Sequence, residues 1–385
     1  MKKKLLSLLL AGAMTVGLAA CGNGGDTPAE TPSDNPDATA SDANVAVFYY
    51  AYSDAFISSV RSALDTALTG AGIEPQNFDG NSSQTTQNEY ITTALANGAN
   101  ILLVNLVDTA SIDTANAIIE QADAVGAQVV FFNRAVEGTD QEGVVLNAHE
   151  NVAFVGTDAP EAGHLQGEMI GNYLVENFDA VDLNGDGQIS YAMFMGQVGN
   201  VEAIYRTQYS VEDANAILAE NGHENALVYF DASNPDMYQA DQAGNWSAQA
   251  ALEYMQTNLS QYSEANGNMI ELVICNNDNM AEGAISALQA AGYNTGEEGS
   301  TTIPVFGVDA TDSAKALIAD GYMTGTVEQS ATGMANALLG MVQNISAGMT
   351  MDEAVAAVAQ TDTELYSVSD AVANKLYVAY SAYTG

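Results

Sequence analysis

A short acidic stretch has the residue types and spacing of a calcium-binding loop. Asp182, Asn184 and Asp186 place side-chain oxygens at alternate positions, Gly187 supplies the sharp turn that follows, and Gln188 offers its main-chain carbonyl. These hard oxygen ligands, with no His or Cys among them, favour Ca²⁺ over zinc or copper. An Asp/Gly-rich turn that binds no metal is the alternative.

The end of this loop departs from the helix–loop–helix calcium motif. The last ligand position normally carries a bidentate glutamate, but here it is Met193, within the apolar strand-like run 191–195. A carboxylate from elsewhere in the chain must therefore complete the coordination.

A second group of residues follows apolar runs that have the character of buried strands. In open parallel sheets, ligands bind just past the carboxyl ends of the strands. The residues at such positions are Asp54, Phe56, Asn105, Asn133, Asn277, Asp278 and Asp309. Each one alone is more typical of a helix cap or a turn. Together these short hydrogen-bonding groups indicate a ligand rich in hydroxyl groups.

The chain lacks a recognisable catalytic constellation. Its histidines, His149, His164 and His223, do not neighbour a Gly-x-Ser-x-Gly motif or a similar nucleophile. Asp54 and Asp309 are the carboxylates that most resemble the acid pair of a glycosidase. Their binding roles, described below, lead us to expect a binding protein and not an enzyme.

The elements that must position these residues alternate regularly. From Asn44 onward, apolar runs such as 45–50, 101–107 and 127–133 are separated by helical segments, and the pattern continues to about residue 381. This alternation predicts an α/β protein with doubly wound parallel sheets and helices on both faces. The length of 385 residues suits two lobes of middling size.

The first 43 residues stand outside this pattern. Lysines at positions 2–4 precede the apolar stretch 5–18, and the sequence Leu-Ala-Ala-Cys ends at Cys21. This predicts a signal peptide over 1–20, with lipidation of Cys21 at a site that resembles the bacterial lipobox. Residues 21–43 would be a disordered tether to the outer face of the cytoplasmic membrane. A plain signal peptide with an incidental cysteine is the alternative.

The composition is strongly acidic, with a formal net charge of −41. The basic residues beyond the signal peptide are Arg61, Arg134, Arg206, Lys315 and Lys375. Such a surface repels nucleic acid and anionic lipid headgroups, so we expect no nucleic-acid partner. The other cysteine, Cys275, lies in an apolar run and has no partner for an internal disulfide.

Seven segments, in their order and spacing, resemble the glucose/galactose-binding proteins of bacterial ABC importers, which are type I periplasmic binding proteins. They are Tyr52–Phe56, Asn105–Asp108, Phe131–Arg134, Val155–Asp158, the loop 182–190, Asn276–Met280 and Val305–Asp309. The resemblance covers nearly the whole chain from about 44 to 380. It implies two lobes, joined by a three-strand hinge, that close around a monosaccharide.

The resemblance also implies lobe boundaries and partners. The first lobe would comprise residues 44–155 and 329–362, and the second would comprise 156–328 and 363–385. The protein is expected to be a monomer that delivers its sugar to the permease and ATPase of an ABC importer. A sugar sensor for a chemoreceptor or a sensor kinase is the alternative.

The ligand-binding residues implied by the resemblance begin with two aromatic rings that cover the faces of the sugar, Phe56 and Trp246. Trp246, the only tryptophan, has the alternative role of a core residue. Polar contacts to the sugar rim are implied for Asp54, Asn105, Arg206, Asn277 and Asp309. The negative balance of these groups disfavours sugar acids.

Three further pocket positions depart from the family pattern. Asn200 replaces a histidine, Glu202 replaces an aspartate and Gln329 replaces an asparagine. The last two side chains are one methylene longer, which shrinks or rearranges the pocket rim. A pentose or a deoxy sugar is therefore an alternative to glucose or galactose.

The resemblance implies that a distant glutamate, Glu271, supplies the carboxylate that the calcium loop lacks. The structural Ca²⁺ site would then consist of Asp182, Asn184, Asp186, Gln188, Ser190 and Glu271. Ser190 stands where the family has a glutamine, and its shorter side chain would weaken the site.

Overall fold

A computed structural model of the chain describes residues 43–138 and 141–385. The strands are β1 (Val45–Tyr49), β2 (Gln76–Asp79), β3 (Ile101–Val104), β4 (Gln128–Phe132), β5 (Val152–Gly156), β6 (Ile189–Met195), β7 (Leu227–Tyr229), β8 (Gln239–Ala240), β9 (Leu272–Cys275), β10 (Val305–Asp309), β11 (Gly325–Gln329), β12 (Tyr366–Val368), β13 (Lys375–Val378) and β14 (Tyr380–Tyr383). The predicted signal peptide, the lipidated Cys21 and the tether up to residue 42 lie outside the described residues.

Helices follow most of these strands. They are α1 (Ala55–Gly70), α2 (Gln84–Ala96), α3 (Ile112–Asp123), α4 (Ala159–Val181), α5 (Val201–Glu220), α6 (Ala248–Leu259), α7 (Asp278–Ala290), α8 (Asp312–Ala319), α9 (Ala331–Ser346) and α10 (Met351–Ala359). The prediction of an α/β fold with helices on both faces of its sheets is confirmed.

The first lobe is built on a sheet with the strand order β12-β13-β5-β4-β3-β1-β2. Its strands are parallel, except that β12 runs antiparallel to β13. In β1, Val45, Val47 and Tyr49 pack with α1, α9 and α10, whereas Ala46 and Phe48 pack with α2 and α3. Both faces of the strand are buried, which explains why its sequence is apolar without alternation.

The second lobe repeats this arrangement with the strand order β14-β11-β10-β9-β6-β7, and β8 pairs with the end of β6. The edge strand β14 is antiparallel to β11, and the other pairs are parallel. Helices α6, α7 and α8 cover one face of the sheet, and α4 and α5 cover the other.

The chain crosses between the two sheets three times, after β5, after β11 and between β13 and β14. The C-terminal segment is therefore shared, and the assignment of all of 363–385 to the second lobe needs correction. Strands β12 and β13 belong to the first sheet, and β14 belongs to the second. A segment this short has no helix of its own to show which core it joins, so its sequence pattern did not separate the two parts.

Helices α4 and α5 approach each other closely along a row of glycines. Gly163, Gly167 and Gly171 face α5, and a Cβ atom at Gly167 would lie 2.6 Å from the carbonyl oxygen of Tyr209. Only residues without a side chain allow the two backbones to pack at this distance. The glycines therefore set the position of α5, which carries part of the candidate site.

Candidate binding site between the lobes

A cavity of about 380 Å³ lies between the two lobes. This figure includes solvent space at the mouth of the cleft, so the enclosed part of the cavity is smaller. The lining residues are Tyr50, Asp54, Phe56, Ile57, Asn133 and Arg134 from the first lobe, and Asn200, Glu202, Arg206, Trp246, Asn277, Asp309 and Gln329 from the second. The site therefore suits one small polar molecule held by both lobes.

The ligand contacts that the resemblance implies all line this cavity, except Asn105. Asp278, which the strand-end rule adds, does not line it. The Asn105 side chain is fully buried behind the wall. Its Oδ1 accepts a hydrogen bond from the main-chain N–H of Tyr50 at 3.1 Å, and its Nδ2 donates to Oδ1 of Asn133 at 3.1 Å. Because both ends of the amide are engaged by the protein, Asn105 orients Tyr50 and Asn133 and does not face the cavity.

Four lining residues were absent from the predicted ligand set: Tyr50, Ile57, Asn133 and Arg134. Asn133 is one of the strand-end residues, and Arg134 is one of the five basic residues beyond the predicted signal peptide. The Arg134 guanidinium donates to the carbonyl oxygens of Leu106 and Val107 at 2.9 Å each and stacks on the Tyr50 ring. Its place depends on a loop and a strand that are distant in sequence, so local patterns did not reveal it.

The aromatic walls come from opposite lobes. Phe56 lies in the first turn of α1, and Trp246 immediately precedes Ser247, the N-cap of α6. A Cβ atom at Gly196 would lie 2.1 Å from the Trp246 indole, so the ring lies directly against the main chain. Trp246 also packs with Met195 in a small apolar cluster. It therefore has a core contact as well as a place in the cavity wall.

Several polar residues of the site begin helices. Asp54 caps α1, with Oδ1 accepting from the N–H of Ile57 at 2.8 Å, and its Oδ2 accepts from the Tyr50 hydroxyl at 2.6 Å. Asn200 caps α5 and Asn277 caps α7 in the same way. Capping and cavity lining are thus combined in the same side chains, because the helix N-termini point at the cleft.

Two buried polar atoms at the cavity have no hydrogen-bond partner in the described part of the chain: Oε2 of Glu202 and Nε of Arg206. The remaining atoms of these two side chains are engaged. Oε1 of Glu202 accepts from the N–H of Ala135 at 3.0 Å, and Arg206 donates to the carbonyl of Asn276 and to the Tyr380 hydroxyl. One acceptor and one donor, a helical turn apart on α5, are therefore left without a partner among the residues that the structure describes, on two residues that line the cavity.

Burial raises the pKa values of two carboxyl groups in the second lobe, Asp309 and Asp278. Burial raises the pKa of Asp309 well above its usual range, although the nearby Arg206 opposes this effect. Burial also raises the pKa of Asp278 to about 7, although its carboxylate accepts hydrogen bonds from Thr311 and Thr326. The backbone of Asp309 is held at a φ of 125°, which is strained for a non-glycine residue.

Hydrogen bonds join the lobes across the cleft. Ser82 of the first lobe donates to Oδ1 of Asn245 at 2.8 Å, and the Ala135 N–H donates to Glu202. Arg134 also reaches across to Gln197. The structure is therefore in a closed conformation, in which ligand entry requires the lobes to separate.

The predicted calcium loop lies at the far end of α4, before β6. The Asp182 carboxylate accepts hydrogen bonds from the N–H groups of Gly185, Asp186 and Gly187 at 2.7–3.1 Å. The buried Glu271 reaches the loop, with its two oxygens accepting from the N–H groups of Leu183 and Ser190 at 2.8 Å each. The predicted partner Glu271 thus does lie beside the loop.

Over the two described ranges, no group of three or more His, Cys, Asp or Glu side chains is gathered closely enough to hold a metal ion. The carboxylates of the loop accept main-chain N–H groups instead. The Ser190 hydroxyl donates to the carbonyl of Met269 at 2.5 Å. The oxygen donors nevertheless match a hard cation in kind, and Ca²⁺ at this loop stays a prediction.

The chain matches the family model described as a periplasmic binding protein domain over residues 45–350 and belongs to that family. The D-galactose/methyl-galactoside binding periplasmic protein of Haemophilus influenzae is 32% identical over 82% of this chain and 85% of its own length. A putative rhizopine-binding protein of Rhizobium meliloti is 27% identical over 81% of this chain and 86% of its own.

Solved structures share the fold. An ABC transporter solute binding protein from Clostridium phytofermentans with bound β-D-glucose has a TM-score of 0.61 and 21% identity, over 78% of this chain and 83% of its own. A periplasmic solute binding protein from Actinobacillus succinogenes with bound D-allose has a TM-score of 0.63 and 17% identity, over 88% of this chain and 96% of its own.

Family membership makes this chain an extracytoplasmic solute-binding protein and not an enzyme, in agreement with the expectation from the sequence. Among the helices of the described residues, none is both long enough and apolar enough to span a membrane.

Proposed function

We propose that this protein captures one monosaccharide between its lobes, D-galactose or D-glucose, and delivers it to an ABC importer. The H. influenzae relative, whose name specifies D-galactose, supports the choice of sugar. The cavity supports it independently, because two aromatic side chains and a ring of hydrogen-bonding groups match the apolar faces and polar rim of a pyranose.

The unpaired acceptor and donor on α5 give the main support for a ligand that bears hydroxyl groups. Leaving a buried polar atom without a partner costs about 1–3 kcal/mol. Oε2 of Glu202 and Nε of Arg206 have no partner within the described ranges of the protein, so they bear this cost unless water or a ligand bonds to them. A sugar hydroxyl can donate to the first and accept from the second, and a pair of adjacent hydroxyls can bond to both at once.

Sugar capture would proceed by closure of the two lobes. Asp54, Phe56 and Arg134 approach from the first lobe, and Glu202, Arg206 and Trp246 from the second. Neither lobe alone encloses the ligand, so the bound sugar stabilises the closed form by contacts that exist only in that form. Release to the importer then requires the lobes to separate again.

The first test is a titration of the tryptophan emission of the full-length chain with galactose, glucose, xylose, arabinose, ribose and fucose. Trp246 is the only tryptophan, so its emission reports directly on the cavity. We expect a saturable change with galactose or glucose at micromolar concentration or below. The absence of both an emission change and heat in calorimetry with every one of these sugars would overturn the proposal.

A pentose is the second candidate ligand, favoured by the longer side chains at two positions. Glu202 and Gln329 project into a cavity that is already small. A relative in H. influenzae with 26% identity is named a D-xylose-binding periplasmic protein. Tighter binding of xylose, arabinose or ribose than of either hexose in the same titration would select this alternative.

We also propose that Cys21 carries the lipid that keeps the protein at the outer face of the cytoplasmic membrane, near the importer. Mass spectrometry of the mature N-terminus should find a lipid-modified Cys21. The variant Cys21→Ser should be released from cells and should lower sugar uptake at low external sugar concentration. An unmodified Cys21 would contradict this part of the proposal.

We further propose Ca²⁺ as a structural ion at the loop 182–190. Asp182, Asn184 and Asp186 would hold it with Glu271, the carbonyl of Gln188 and the position of Ser190. A divalent cation there would neutralise carboxylates that otherwise repel each other between α4 and β6. EDTA should lower the melting temperature, and Ca²⁺ should restore it. Asp186→Asn should abolish the response, whereas Asp320→Asn, at an exposed helix end far along the chain, should not.

A further inference from the structure

All three segments that cross between the lobes meet at one hydroxyl group. Tyr380, the first residue of β14, is buried at the third crossing. Its Oη accepts a hydrogen bond from Oγ1 of Thr157, at the first crossing, at 2.8 Å. It donates to Oε1 of Gln329, at the second crossing, at 3.4 Å. Gln329 and Tyr380 are also directly paired residues of the two adjacent strands.

The same hydroxyl contacts the ligand-binding machinery. Nη2 of Arg206 donates to the Tyr380 Oη at 3.0 Å, while Nε of Arg206 is the unpaired donor at the cavity. Gln329 in turn donates from Nε2 to Oδ1 of Asp309 at 3.3 Å. A hydroxyl has one hydrogen to donate and two lone pairs, so these bonds satisfy Tyr380 completely. Burial raises the pKa of Tyr380, which keeps the hydroxyl protonated.

We propose that Tyr380 is a positioning residue that couples ligand occupancy at Arg206 to the angle between the lobes. The proposal rests on the proposed sugar-binding function for the identity of the ligand. A ligand held by Nε of Arg206 fixes the guanidinium, the guanidinium holds the Tyr380 hydroxyl, and this hydroxyl holds the first and second crossings together. Without the hydroxyl, the crossings lose their common hydrogen-bond partner and Arg206 loses one support.

Tyr380→Phe tests this inference because it removes the hydroxyl and keeps the ring. Tyr366→Phe is the matched control, since its buried hydroxyl donates to the carbonyl of Gly333 at 2.8 Å within the first lobe. Loss of a hydrogen bond to a charged group predicts about 10-fold weaker sugar binding for Tyr380→Phe. The control variant should show a lower melting temperature with an unchanged dissociation constant.

The lobe angle is measured separately, by the distance between spin labels on cysteines introduced at the exposed Ser59 and Glu220. The native Cys275 is fully buried, and burial raises its thiol pKa, so it does not take up label. Without sugar, Tyr380→Phe should shift the distances towards the open form, and the control should not. Thr157→Val should act in the same direction, and the two changes should be less than additive.

The outcomes separate the two proposals. Distances and affinity in Tyr380→Phe that equal those of the wild-type protein would overturn the coupling role. A wild-type protein that binds none of the sugars would overturn the proposed function, while the distances without sugar would still decide the role of Tyr380. If Tyr380→Phe fails to fold, Thr157→Val provides the same measurement, and wild-type distances in that variant would overturn the inference.

Discussion

The two carboxylate oxygens of Glu202 differ in their hydrogen bonding. One oxygen accepts the N–H of Ala135 from the opposite lobe, and the other has no partner within the described residues and lies at the cavity. The side chain therefore links closure to ligand recognition. Glu202 therefore acts in lobe closure as well as in lining the cavity.

Replacement of the free acceptor at this position should weaken ligand binding. Glu202→Gln keeps the size of the side chain but replaces one oxygen with an N–H donor. Loss of a charge-assisted hydrogen bond worth about 1.5–3 kcal/mol predicts a dissociation constant raised roughly 10- to 100-fold. Calorimetry with the sugar found by titration measures it. Glu212→Gln, on the same helix but far from the cavity, is the control, and an equal affinity of both variants would refute this role.

Gly196 has no side chain, and this absence determines where the Trp246 ring can lie. A methyl group at this position would overlap the indole, at 2.1 Å from its nearest atoms. We predict that Gly196→Ala displaces the indole, shifts its emission maximum without ligand and weakens sugar binding at least about 10-fold, because an aromatic face is lost.

The control for Gly196→Ala is Gly340→Ala on α9, where the new methyl group meets the Val358 side chain, whose nearest methyl carbon lies at 2.8 Å. This variant should change stability but neither the emission nor the affinity. An emission maximum of Gly196→Ala that matches the wild-type protein would show that the indole tolerates the methyl group.

At the scale of elements, the ends of helices α1, α5 and α7 create the site. Their N-caps, Asp54, Asn200 and Asn277, each use one oxygen for the first turn and also line the cavity. The sequence left open whether these residues were caps or ligand contacts. The geometry allows both, because a cap residue lies at the helix terminus nearest the cleft.

The close packing of α4 on α5 should be sensitive to a single methyl group. Gly167→Ala would place a Cβ 2.6 Å from a main-chain oxygen of α5, and a main chain cannot rotate away as a side chain can. We expect a loss of about 1–3 kcal/mol in the free energy of unfolding, measured by urea denaturation. The displaced α5 should also weaken sugar binding.

Gly70→Ala provides the comparison for Gly167→Ala, because no atom lies within 4 Å of its new methyl group. It should stabilise the protein by about 0.5 kcal/mol or leave it unchanged. Equal stability of both variants would show that the α4–α5 contact has room to relax.

At the scale of the whole molecule, the five basic residues of the described part of the chain each contact an aromatic ring, a carboxylate or the cavity. In the described part of the chain, Arg61 stacks on Tyr52, Lys315 pairs with Glu328 and Lys375 pairs with Glu142. Arg134 and Arg206 lie at the cavity. These cations therefore contact carboxylates or aromatic rings or lie at the cavity, and the outer surface is acidic.

The burial of Asp278 makes the stability of the protein depend on pH. The folded-state pKa of Asp278 is about 7, above the value of about 3.9 expected in the unfolded chain. The folded protein thus binds an extra proton between these values, so this contribution to stability is complete below about pH 4 and is lost as the pH rises through 7. The melting temperature should be higher at about pH 5.5 than at about pH 8.

Asp278→Asn should make that difference in melting temperature smaller, because the titrating group is gone, whereas the exposed Asp320→Asn should preserve it. Scanning calorimetry at both pH values provides the measurement. A difference that persists undiminished in Asp278→Asn would assign the effect to other acids, of which the buried Asp309 is the first.

Much of the fold and of the site was accessible from the sequence. The alternation of apolar runs and helical segments predicted two doubly wound sheets, and the strand-end rule together with the resemblance predicted Asp54, Phe56, Trp246 and Asp309 at one cavity. The fold and the strand-end residues depend on short-range patterns, the period of an element and the residue that follows it. Trp246 was predicted through the family resemblance alone.

Only the tertiary structure decided what depends on contacts between distant segments. In the structure, Asn105 lies behind the cavity wall and Arg134 forms part of that wall. The C-terminal strands are divided between the two sheets. A hydrogen bond also joins Thr157 to Tyr380, which are 223 residues apart. Such hydrogen bonds form only when the lobes pack, so the sequence around either residue does not reveal its partner.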